Sequence, residues 1–318
     1  QSWRNRLDAS PGRSTSPPPF HPLSLQRGRD SPLPPPPPPC ILLAFNPNKG
    51  DNLAPRLEAA GFEVANLDVT LDAAHDVCVP ENAAPFLQLA TEGAYSFAWL
   101  SSPCRYFCVG ADGRPCLFPV AEPLGLANPP PDWCAYVAQG RRIIQFVFDL
   151  ICALDSSGTP WAAENPARRH VEGSDAFWKE FKEWGTLWDA LTHLGLPTRV
   201  SFAEVTFPYC ALMDYDDSYQ KYTTIWASVL AGAVVEAFVG LVCLHRQRGE
   251  RHARRLRGFD AAGGSVTAAA ASYPPEMLRR CVGAIVQVVR AAHTRGAAAL
   301  PAGAPQRPSS VTLSSIPA

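Results

Sequence analysis

The chain has 318 residues, 47% hydrophobic and 18% charged, with a formal net charge of −1. That length suits one large domain or two small ones, and the apolar fraction is enough to bury a real core. The near-neutral balance does not point to nucleic acid, although His245 to Phe259 holds six arginines against Glu250 alone, a strip that fits phosphates or a solvated turn equally well. The ten cysteines show no repeating spacing, and the first residues are polar and basic with no apolar stretch before a cleavage site. Both features imply a reducing, intracellular or nuclear setting.

Residues 1–39 are rich in Pro, Ser and Arg and end in the run Pro34 to Pro39. Such a stretch favours extended polyproline and cannot build a core, so it reads as a disordered tail. An apolar strand is expected over Ile41 to Phe45 and a helix over Ala54 to Ala60, stopped by Gly61. A second strand follows over Glu63 to Val69, ending near Asp68, and then a helix over Asn82 to Thr91. Tyr95 to Leu100 is a third strand running into Ser101-Ser102-Pro103-Cys104. A Pro- and Gly-bearing loop, Arg105 to Pro131, leads into an amphipathic helix over Trp133 to Leu154. Thr159 to Ala163 is a strand ending at Glu164-Asn165-Pro166. A helix is expected over Ser174 to Leu194, with Phe177, Trp178, Phe181, Trp184 and Trp188 at helical intervals as core. Strands over Thr198 to Val205 and Thr223 to Ala227 and a buried helix over Val229 to Cys243 complete the pattern. That last run contains Glu236 and is short for a membrane span. Alternating strand and helix implies an α/β domain with a mostly parallel twisted sheet and helices on both faces. Its extent is 40–230, with 231–295 a helical C-terminal extension and 296–318 a second Pro-, Ser- and Ala-rich tail.

Ligands of such a sheet lie beyond the carboxyl ends of the strands. Those ends carry Asn46 to Asp51, Asp68, Ser102-Pro103-Cys104 and Glu164-Asn165-Pro166, with His75-Asp76 in a nearby loop. Asp68, closing the second strand, is placed to accept hydrogen bonds from ribose hydroxyls. Cys104, beside Arg105, is a candidate nucleophile if its thiolate is favoured, and otherwise a half-buried structural thiol. Glu164 on a neighbouring strand is a candidate acid that could hydrogen-bond a ring nitrogen, with Asn165 holding the loop. The alternative for Glu164 is a helix-start carboxylate near Arg168 and Arg169. Cys243-x-His245 with His252 and Cys210 could ligate zinc, but the single-residue gap is not finger spacing, and the sequence reading assigns no metal. No phosphate-binding loop, His-Glu-x-x-His or Gly-x-Ser-x-Gly is present.

The ordered set Phe45-x-x-x-x-Gly50, Gly61-Phe62-Glu63-Val64, Asp68, His75-Asp76, Ser102-Pro103-Cys104-x-x-Phe107, Glu164-Asn165-Pro166 and Gln220 to Thr224 resembles the compact cytosine-5 DNA methyltransferase-like proteins of phages and eukaryotic mobile elements. Domains associated with tyrosine-recombinase retroelements are the nearest likeness. Cys243-x-His245 and Ser272 to Pro275 are similar to the segment that follows such domains. The likeness spans roughly 41–285.

It implies a Rossmann-like methyltransferase fold that binds S-adenosyl-L-methionine. Phe45, Gly50, Asp68, Asp76 and Ser102 would line the cofactor, with Asp68 at the ribose and Asp76 beside the adenine. Cys104 would attack ring carbon six of a cytosine flipped out of DNA, and Glu164 would contact ring nitrogen three while the methyl group moves to carbon five. Arg105, Lys221 and Arg168 would meet nucleic acid. The partners implied are DNA, neighbouring domains of a retroelement polyprotein, and no membrane.

The chain departs from the family pattern at Asn46-Pro47, where a Ser-Gly pair is usual, at Ser102 for a proline, and at Cys108 for a serine. The altered loop at Asn46 to Gly50 favours an alternative, a catalytically degenerate module of a retroelement polyprotein that only binds. A third alternative, transfer to an adenine amino group, is disfavoured by the Pro-Cys. The missing initiator methionine and the unstructured first residues imply a piece of a longer gene product or an incomplete gene model.

Overall fold

The computed structural model describes residues 38–46, 52–107, 115–215, 218–252 and 272–299. Nearly all of both expected tails, as well as Gly50, Cys108 and three of the six arginines of the basic strip (Arg254, Arg255 and Arg257), lie outside these residues.

Four short apolar segments form the parallel part of one sheet: β1 (Cys40–Ala44), β2 (Glu63–Leu67), β3 (Phe97–Leu100) and β4 (Trp161–Pro166). β1 pairs in parallel with β2 on one side and β3 on the other, and β3 pairs in parallel with β4. β3 and β4 are buried along their whole lengths, as a strand covered on both faces must be. The remaining strands, β5 (Phe202–Pro208) and β6 (Tyr222–Ser228), pair antiparallel with each other, and β6 also runs antiparallel to β4. The six strands lie in the order β2-β1-β3-β4-β6-β5.

The sheet is therefore mixed, whereas strand–helix alternation predicts a mostly parallel one. The described part of the connection from β5 to β6 contains a short 3-10 turn, Tyr209–Leu212, and no crossover helix. Without a crossover helix the chain readily doubles back.

Alternation along the strands sorts side chains into two cores. Leu42, Ala44, Ala98, Leu100, Trp161 and Ala163 face one layer, built from α2 (Pro80–Thr91), α3 (Cys134–Ser156) and α4 (Leu187–His193). Ile41, Leu43, Phe97, Trp99 and Ala162 face the other, built from α1 (Leu53–Ala59), α5 (Gly232–Glu236) and α7 (Pro275–Ala299). A further short helix, α6 (Leu244–Arg248), follows α5. No described helix is long and apolar enough to cross a membrane.

Several expected elements differ. The helix over Ser174 to Leu194 is confined to α4, because Thr186 and Asp189 form a capping box that starts a helix there. Just before it, Gly185 presses on the Phe118 carbonyl, 2.9 Å from where its Cβ would stand. Of the aromatics at helical intervals, Trp188 is buried but Trp178 is 39% exposed. The helix over Val229 to Cys243 shortens to α5, and Gly240, with φ 78°, turns the chain afterwards. Val229 and Val239 are largely exposed. The C-terminal region is not an appendage: Met277, Leu278, Cys281, Ile285 and Val289 of α7 are buried in the second core with Leu53 and Leu57 of α1.

α3 passes beneath the turn that carries Cys104. A Cβ on Gly140 would stand 2.4 Å from Phe118 Cζ and 3.0 Å from Tyr106 Cδ1. Gly→Ala in a helix normally gains about 1 kcal/mol. At this position overpacking, worth ~1–3 kcal/mol, outweighs it. Gly140→Ala should therefore lower the urea midpoint with an unchanged slope; a raised midpoint would contradict this packing.

Candidate active site at the carboxyl ends of the strands

The chain leaves β1 for β2 on one side and later returns to β3 on the other, so the order reverses between β1 and β3. Such a switch point opens a crevice beyond the strand tips. Phe45 follows β1 with φ 61°, a left-handed conformation rare for a bulky residue, while its N–H donates to the Leu67 carbonyl at 2.7 Å. Its ring packs edge-on against Phe146. Strain of this kind concentrates at functional sites. Asn46 beside it is buried, and its side-chain Nδ2 has no hydrogen-bond partner among the described residues.

Asp68 follows β2 and is buried. Its Oδ1 accepts from the Thr70 N–H at 2.7 Å and from the Thr70 hydroxyl at 2.6 Å, which fixes the carboxylate. The His75 ring nitrogen Nδ1 lies 3.3 Å from the Asp68 carbonyl. Asp76 accepts from the Cys78 N–H at 3.0 Å in a tight turn.

β3 continues into Ser101, Ser102, Pro103 and a 3-10 turn, Cys104–Tyr106. Asn165 holds this loop: its Nδ2 donates to the Ser102 carbonyl at 2.8 Å. The buried Ser102 hydroxyl and the Asn165 Oδ1 have no partner among the described residues. Orphaned buried polar atoms occur elsewhere too, as at Asn66 and Tyr95, but three sit on adjacent strand tips at Asn46, Ser102 and Asn165.

Glu164 lies in β4 and not at a helix start, the alternative the sequence allows, and it is buried. Its Oε1 accepts from the Tyr209 hydroxyl at 3.3 Å and from the Thr223 hydroxyl, and its Oε2 accepts from the Tyr273 hydroxyl at 3.1 Å. A relay leads into Tyr273. Trp99 Nε1 donates to Ser101 Oγ at 2.8 Å, and Ser101 Oγ lies 2.5 Å from the Tyr273 hydroxyl. Because the Tyr273 proton goes to Glu164, the Ser101 proton goes to Tyr273. Burial, followed by the negative charge of Glu164, pushes both Tyr209 and Tyr273 well above the ordinary phenol range, so both remain donors.

Cys104 is half-buried and not disulfide-bonded. It lies near enough to Tyr209 for a thiolate there to oppose ionisation of that phenol. Tyr209 also donates to Glu164 of the adjoining strand. Lys221 joins them, with Nζ 4.2 Å from the Tyr209 ring centroid.

Two other expected contacts point elsewhere. Arg105 donates to the Tyr106 hydroxyl at 2.8 Å and to Gln139 on α3 at 3.0 Å, on the side of Asp76. Arg168 pairs with Asp189 of α4 at 3.2 Å and lies over the Trp226 ring.

Tyr209, Thr223 and Tyr273 are the site residues that sequence reasoning did not single out as donors. Thr223 and Tyr273 stand inside segments that carried the family likeness, but nothing local marks a hydroxyl as the partner of a distant carboxylate. Compared with protein-family models the chain matches none, and no curated protein matches it.

Proposed function

We propose that this protein is an S-adenosyl-L-methionine-dependent methyltransferase-like protein with a Rossmann-like core, acting on a flipped cytosine in DNA through Cys104 and Glu164. The observation that carries this reading is the placement of Phe45, Asp68, Ser102 and Cys104 just after β1, β2 and β3, on either side of the switch point, with Glu164 near the end of the adjoining β4. The orphaned polar atoms of Asn46 and Ser102 suit a polar cofactor at the tips of β1 and β3. With Oδ1 of Asp68 engaged by Thr70, Oδ2 is the oxygen left for ribose hydroxyls. The cofactor would supply the methyl group. The protein would supply the Cys104 thiolate as nucleophile and Glu164 as partner of the ring nitrogen.

A second reading, a degenerate module that binds without catalysis, is favoured by a different observation. Both oxygens of Glu164 are already occupied, and Tyr273 covers one of them. A base could engage Glu164 only by displacing that phenol.

Calorimetry with S-adenosyl-L-methionine tests the cofactor assignment. Saturable heat is expected, with Asp68→Ala weakening binding about 10–100-fold through the loss of charge-assisted hydrogen bonds. Absence of heat from the intact chain, or an Asp68→Ala variant binding as tightly as wild type, would overturn it.

A further inference from the structure

Away from the strand tips, Cys210 and a second segment holding Cys243, His245 and His252 bring four side chains together next to Tyr209. Cys210 lies in the 3-10 turn after β5, Cys243 caps α6, His245 lies within α6, and His252 follows it. One ligand atom from each lies within 4.8 Å of all the others, and Cys210, Cys243 and His245 are buried. From this geometry we infer that the cluster is a structural zinc site with two thiolate and two imidazole ligands.

The ligand set is the one a closed tetrahedral zinc site uses. Bonds of about 2.3 Å to sulfur and 2.0 Å to nitrogen place tetrahedral ligands roughly 3.3–3.8 Å apart. Cys243 Sγ and His252 Nε2 are already 3.3 Å apart, so the cluster needs to contract by only about 1 Å at its widest.

The tautomer of His245 is set by its surroundings. Ser218 donates its hydroxyl proton to the Tyr215 carbonyl at 3.0 Å, leaving the Ser218 oxygen to accept from His245 Nε2 at 3.4 Å. Nδ1 then carries the lone pair, and Nδ1 is a buried atom without a partner among the described residues. A hydrogen-bonded ring nitrogen on one side and an unsatisfied lone pair on the other is the outer-shell pattern of a metal-bound histidine. Tyr215 stacks on the His245 ring at 3.9 Å and covers it.

The fold also has a use for such an ion. Cys210 and Cys243 belong to a third buried cluster whose other members are Ala167, Ala176 and Tyr222, small for a core of its own. Zinc would staple α6 to the β5–β6 connection there and fix the residue next to Cys210, which is Tyr209. Binding displaces the two thiol protons into solvent and leaves both imidazoles neutral, so charge and atoms balance. The inference stands apart from the methyltransferase reading.

The full chain, purified under reducing conditions without chelator or histidine tag, is expected to carry one zinc per molecule by elemental analysis. Exchange for Co2+ should give the intense visible bands of a tetrahedral ion with thiolate-to-cobalt charge transfer. Ser218→Ala, which leaves all four ligands in place, should weaken zinc about 10–100-fold, and Cys210→Ala with His245→Ala should abolish stoichiometric binding. Should the double variant fail to fold, the wild-type cobalt spectrum still decides. Wild-type chain that takes up no zinc on reconstitution, an octahedral cobalt spectrum, or zinc retained by a folded double variant would each overturn the assignment.

Discussion

Trp226→Ala should lower the free energy of unfolding by about 3–5 kcal/mol, a large share of what holds a domain together. Trp226 is 1% exposed on β6. Its ring stacks on Phe202 at 4.2 Å and meets Trp188 of α4 at 4.7 Å, and its Nε1 donates to Glu204 at 2.7 Å. Removing it empties the space between the β5–β6 hairpin and α4 and takes away the ring under the Arg168 guanidinium. The loss is read from the denaturant midpoint. A change below about 1 kcal/mol would mean the hairpin docks by other contacts. The same geometry makes Arg168 a structural residue: its partners are Asp189, Glu204, Thr192 and the indole. Arg168→Ala is accordingly expected to cost stability rather than DNA affinity, as a filter-binding comparison with Lys221→Ala would show.

Glu164→Gln is expected to slow methyl transfer by at least about 10²-fold while leaving the fold intact. The amide keeps one oxygen to accept from Tyr209 and Thr223. Tyr273, deprived of its acceptor on the other side, can turn its proton to Ser101 Oγ, 2.5 Å away. The stability cost should be about 1 kcal/mol. Loss of a positioned acid or base costs about 10²–10⁴-fold in rate, so incorporation of labelled methyl groups into DNA should fall by at least the lower figure. A Glu164→Gln enzyme as active as wild type would assign the carboxylate to structure alone, whereas the second reading predicts no methyl transfer by either protein.

Much of the sheet is legible along the chain because β1 to β4 are each apolar, short and followed by turn residues or a helix start. The tips Asp68, Ser102 to Cys104 and Glu164 to Pro166 could be located for the same reason. What fails is instructive. Aromatics from Phe177 to Trp188 mimic a helical period, yet the capping signal at Thr186 and Asp189 wins, since it satisfies backbone N–H groups that a longer helix would have to bury elsewhere. The reversal at β6 is invisible locally, because a parallel and an antiparallel strand share one residue pattern. The environment of Glu164 is non-local as well: Tyr209, Thr223 and Tyr273 reach it from the turn after β5, from β6 and from the segment before α7. Cys210 and His252 meet Cys243 and His245 only once the chain has folded, so motif spacing understates them.

Covalent trapping tests the central claim most directly. DNA containing 5-fluorocytosine is incubated with the full chain and S-adenosyl-L-methionine, and adducts are resolved by denaturing electrophoresis. The account predicts a protein–DNA adduct that needs the cofactor and disappears in Cys104→Ser. A cofactor-binding chain that forms no adduct, or an adduct that persists without the Cys104 sulfur, would contradict it.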